Sequence, residues 1–91
     1  MSIQKRWRFT ETMVKDAPDC PGVYVLWSER APLAVGAAAG AESIQSRLLG
    51  HLEHSLGGVT HYSWEICRAP RERAAEIERE LGLAAREAQQ A

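Results

Sequence analysis

Tyr24, Arg47 and His51 are the side chains of this chain whose types and spacing invite chemistry. Tyr24 sits in the apolar run GVYVLW (residues 22–27), where its phenol can donate, accept or orient a water. Arg47 and His51 are four residues apart in RLLGH, so a helix would set them on one face. A guanidinium offers a bidentate fork and keeps its charge at any relevant pH, while an imidazole can share proton work. Further on, EIEREL (residues 76–81) carries Glu76 and Glu78. The same run mixes arginine with glutamate, so a solvated, self-paired helix face is an equally natural reading of it. Tyr24 could be a half-buried strand tyrosine, Arg47 a solvated helix arginine and His51 a surface histidine. Cys20 and Cys67 fall short of a disulfide framework or a zinc site and read as small buried apolar groups.

The elements that must position these residues follow from punctuation and period. Residues 1–19 read as an extended N-terminal arm with one helical turn over ETMVKD, ended by DAPDCPG. GVYVLW is a strand, SERAP a turn and PLAVGAA a second strand, with Pro32 at a start where a missing N–H is tolerated. Glu42 or Ser43 then opens a helix whose Ile44, Leu48, Leu49 and Leu52 make one apolar stripe, ending before Gly57–Gly58. THYSWEIC alternates so that Tyr62, Trp64 and Ile66 share a face of a third strand. Pro70 opens the last helix, with Ala74, Ile77, Leu81 and Ala84 or Ala85 inward. The expected fold class is α+β: a small antiparallel three-stranded sheet flanked by helices in β-β-α-β-α order. One domain spans residues 1–91, with its core over 20–82 and a fraying end at 83–91.

Composition narrows the setting. At 45% apolar and 25% charged residues the chain resembles an ordinary soluble globular protein. No apolar run is long enough to span a membrane and the N-terminus lacks a secretory core, so the expected location is the cytoplasm and no membrane partner is expected. Net charge is −1, which excludes a strongly basic nucleic-acid face. Lys5, Arg6, Arg8 and Lys15 outnumber Glu11 and Asp16 in the arm, which leaves room for a small basic patch there. If Arg6, Arg8 and Lys15 shared a face with Arg47, that rim would favour nucleic acid. Trp7, Trp27 and Trp64 belong to a core or an interface.

Taken in order, the pieces resemble the GIY-YIG nuclease family. PGVY (Pro21–Tyr24) is similar to its first tripeptide, AVG (Ala34–Gly36) to its second, RLLGH to its helix motif, and EIEREL to its glutamate helix. The resemblance implies metal-dependent phosphodiester hydrolysis of DNA or structured nucleic acid with magnesium or manganese, and no small-molecule cofactor. It makes Tyr24 the phenol that orients or deprotonates water, Arg47 the phosphate clamp, and His51 a phosphate contact or proton partner. Glu78 becomes the metal ligand, with Glu76 as the alternative.

The chain departs from that pattern at three places. Ala34 replaces the tyrosine of the second tripeptide, Ala37 and Ala38 stand where a lysine often follows, and the end AAREAQQA lacks the proline and asparagine usual after the glutamate helix. Losing one element of an electrostatic site commonly costs about 10²–10³ in rate. Two readings therefore stand side by side. One is a small nuclease, impaired by the missing tyrosine; the other is an inactive GIY-YIG fold serving as a binding or assembly module with a protein partner.

Overall fold

The computed structural model describes residues 5–53 and 58–82. Within them run β1 (Trp7–Arg8), α1 (Glu11–Val14), β2 (Gly22–Trp27), β3 (Pro32–Ala38), α2 (Ile44–Glu53), β4 (His61–Ile66) and α3 (Pro70–Leu81). The fold is α+β, as the sequence predicts. The sheet, however, has four antiparallel strands rather than three, in the order β1-β4-β2-β3. The extra strand is two residues of the N-terminal arm, Trp7 opposite Tyr62 and Arg8 opposite His61. Cross-strand aromatic contacts hold it there, with Trp7 stacked on Tyr62 and on Trp64 at centroid separations of 6.0 and 5.4 Å. So short a strand has no period of its own to read.

Strand β2 lies in the middle of the sheet and is buried along its whole length. Its alternation divides the core in two. Tyr24 and Leu26 face one way, packing with Val14, Ala17, Ile44, Leu48 and Tyr62 under α1 and α2. Val23, Val25 and Trp27 face the other way, against Ala74 and Ile77 of α3. The two larger helices therefore cover opposite faces of one sheet. A bidentate pair, Arg73 Nε to Glu65 Oε2 at 2.8 Å and Nη2 to Oε1 at 3.2 Å, ties α3 to β4.

Local chemistry sets the helix starts. Ser43 accepts the Ser46 N–H at 3.0 Å, and Ser46 Oγ accepts the Ser43 N–H at 3.0 Å. This reciprocal cap begins α2 at Ile44. Thr10 accepts the Met13 N–H and caps α1, and Pro70 opens α3 as expected. Of the inward residues expected on α3, Ala74 and Ile77 are buried and Leu81 packs beside them. Ala84, Ala85, the rest of 83–91 and Gly57 lie outside the described residues. On β4, Tyr62 is buried and Trp64 is half-buried against the same cluster, whereas Ile66 is 57% exposed. β1 pairs only with Tyr62 and His61 and stops short of it. No helix among the described residues is long and apolar enough to cross a membrane.

Candidate functional site

The structure brings Tyr24, Arg47 and His51 together. Tyr24 leans from β2 across the edge strand β3, and its Oη lies 2.8 Å from His51 Nε2 on α2. It can do so because its cross-strand partner is Gly36. A Cβ at position 36 would fall inside the phenol, against Cζ and Oη. The glycine of AVG thus has a steric purpose: it is the floor on which the tyrosine lies. A second close approach seats α2, because a Cβ on Gly22 would collide with Glu65 O and Ile44 Cδ1.

Burial pushes the Tyr24 phenol above its ordinary pKa, since its ionised form would lose water, while the neighbouring Arg47 charge pulls the other way. The interaction with Tyr24 in turn raises the Arg47 guanidinium. Arg47 also reaches Glu42, Nη1 to Oε2 at 3.3 Å, in a partly exposed ion pair. Its Nε is buried and makes no well-formed hydrogen bond among the described residues. Glu42, Ser46, Arg47, Gly50 and His51 line a cleft of about 320 Å³ beside this cluster. The sequence marked Glu42 only as a possible helix start, and a lone glutamate ahead of a helix gives no signal of a role in a site.

The other expected residues stand elsewhere. Ala34 lies opposite Leu26 on the tyrosine face and is exposed. Glu78 belongs to α3, the helix on the opposite face of the sheet. Glu76 is on the same helix and pairs with Arg73 at 3.4 Å. Among the described residues no group of three or more His, Cys, Asp or Glu side chains is disposed to hold a metal.

The condition for a basic rim, Arg6, Arg8 and Lys15 on the face of Arg47, is not met by Arg6 or Arg8. Arg6 sits 3.8 Å from the ring centroid of Trp27, which belongs to the α3 side, and Arg8 alternates to that side in β1. Lys5 lies over Trp7, on the tyrosine side, and Lys15 is near Glu11 at 4.0 Å on α1. Comparison of the chain with protein-family models, with curated proteins and with solved structures returns no match.

Proposed function

We propose that this chain is a GIY-YIG-like domain that binds a phosphodiester of nucleic acid at Tyr24, Arg47 and His51. The observation that carries the reading is the convergence of a phenol, a guanidinium and an imidazole beside one cleft, two of them joined at 2.8 Å. Arg47 and His51 present donors at the cleft, with the buried Tyr24 phenol bonded behind His51, and no strongly basic surface is needed. The fold order, the glycine beneath Tyr24 and the RLLGH spacing agree with the resemblance noted in the sequence.

Cleavage in that family also calls for magnesium or manganese on a carboxylate. The residues at the cluster do not fit that role. The carboxylate that lines the cleft is Glu42, tied to Arg47, while Glu78 and Glu76 rise from the helix on the other face. Binding, alone or within an assembly with a protein partner, is accordingly the function proposed. A second reading, metal-dependent hydrolysis, is favoured by one observation: the Tyr24–His51 hydrogen bond links a phenol to a group able to carry its proton.

One experiment separates them. Single-stranded, duplex and branched DNA are titrated into wild type, Arg47→Ala and Glu78→Ala, with and without Mn²⁺ or Mg²⁺. Binding that Arg47→Ala removes and Glu78→Ala keeps, with no cleavage, is the expected result. Metal-dependent cleavage lost in both variants would establish the nuclease reading instead. Absence of any Arg47-dependent binding would overturn both.

A further inference from the structure

The cleft beside Tyr24 pairs its cation with an anion, and that pairing constrains which phosphate it can favour. Glu42 Oε2 lies 3.3 Å from Arg47 Nη1, and both side chains line the cleft with Ser46, Gly50 and His51. Both are partly exposed, 50% and 41%, so the carboxylate faces the water from which a ligand arrives. We infer that Glu42 is a selectivity residue, which makes the site one for singly charged phosphodiesters rather than doubly charged phosphomonoesters; the inference rests on the phosphate reading above.

The selectivity is electrostatic in origin. A phosphodiester carries one negative charge; a phosphomonoester carries nearly two once pH exceeds its second pKa of about 6. Near a lone arginine the second charge would add attraction. With Glu42 beside Arg47 the two side-chain charges nearly cancel at the cleft, so the second charge gains nothing there. Charge then gives the monoester no advantage, and the diester is favoured by its two ester arms, through which it continues along a chain. Internal linkages of a nucleic acid are thereby preferred over free phosphate, mononucleotides and phosphorylated ends.

The size of the effect follows from Coulomb's law. Two unit charges about 4 Å apart in water interact enough to change an equilibrium about fivefold. Removing the Glu42 charge should then strengthen diester binding about fivefold and monoester binding about 25-fold at low salt, shrinking as salt screens the pair. The ratio between the two ligands moves about fivefold toward the monoester.

The test uses dimethyl phosphate and methyl phosphate as probes. They are titrated by NMR at about pH 8 and low ionic strength into wild type, Glu42→Gln and Arg47→Gln. Glu42 is half exposed, so Glu42→Gln leaves the fold intact, which an unchanged thermal midpoint verifies. The expected result is that Glu42→Gln tightens both ligands and shifts their ratio toward methyl phosphate about fivefold, while Arg47→Gln weakens both. Arg47-dependent binding of both esters with a ratio unmoved by Glu42→Gln would overturn the selectivity role and leave the phosphate site standing. No binding of either ester to wild type or Glu42→Gln would overturn the site itself, and the selectivity with it.

Discussion

Gly36→Ala is the substitution that most directly probes how the tyrosine is held. The new methyl would overlap Tyr24 Cζ, Oη and Cε1, atoms at the rigid far end of a buried ring. The ring must tilt away, and tilting breaks its 2.8 Å link to His51. Overpacking of a tight site costs about 1–3 kcal/mol, and a lost hydrogen bond adds about 1 kcal/mol. The sum, about 2–4 kcal/mol, is a large share of the 5–15 kcal/mol typical of a domain. At roughly 4–8 °C per kcal/mol for a chain of this size, the thermal midpoint should fall by about 10–30 °C. Gly50→Ala is the control: it lies within α2 with nothing within 4 Å of its Cβ position, and a glycine-to-alanine change in a helix gains up to about 1 kcal/mol. The assay is urea and thermal unfolding of a double-mutant cycle with Tyr24→Leu, whose shorter side chain lacks all three colliding atoms. In that background Gly36→Ala should cost less than about 1 kcal/mol. An equal cost in both backgrounds would refute the steric account, as would a wild-type stability for Gly36→Ala alone.

Three other outcomes are expected. Ser63→Ala should cost about 1–3 kcal/mol in chemical denaturation, because the buried Trp27 indole N–H, 2.9 Å from Ser63 Oγ, loses its acceptor; a change under about 0.5 kcal/mol would show that the indole finds another. Ser43→Ala should cost about 1 kcal/mol through loss of the reciprocal cap, with helix content reduced by circular dichroism, and Ser43→Asp should restore most of it. Burial raises the phenols of Tyr24 and Tyr62 above their ordinary value of 10.0. The unfolded chain ionises them first, so their contribution is complete below about pH 10 and is lost as pH climbs through the higher folded values. Stability should therefore fall above about pH 10, less steeply in Tyr24→Phe; identical slopes in wild type and Tyr24→Phe would contradict it.

Much of the fold was legible because its elements carry their own punctuation. SERAP marked the hairpin turn, Pro70 the last helix, and the stripe from Ile44 to Leu52 the middle one. The two-residue strand at Trp7 was not legible, since it exists only through stacking against residues more than fifty positions away. The cluster was legible in membership: the resemblance to the GIY-YIG motifs named Tyr24, Arg47 and His51, and they meet. What spacing could not supply was direction. GVYVLW is apolar at nearly every position, so both of its faces are covered, yet that run does not say which helix takes which face. The resemblance set Glu78 beside Tyr24, whereas its helix packs behind Val23 and Val25. The Glu42–Arg47 pair and the contact of Tyr24 with Gly36 likewise depend on three-dimensional register.

The central claim is that the cleft of Arg47 and His51 takes nucleic-acid phosphate. Its most direct test is a titration of isotope-labelled protein with a short single-stranded oligonucleotide, following each residue's NMR signals. Shifts concentrated on Tyr24, Ser46, Arg47, Gly50 and His51, and abolished by Arg47→Gln, are the predicted result. Shifts confined to α3 around Arg73 and Arg79, or none at all, would contradict it.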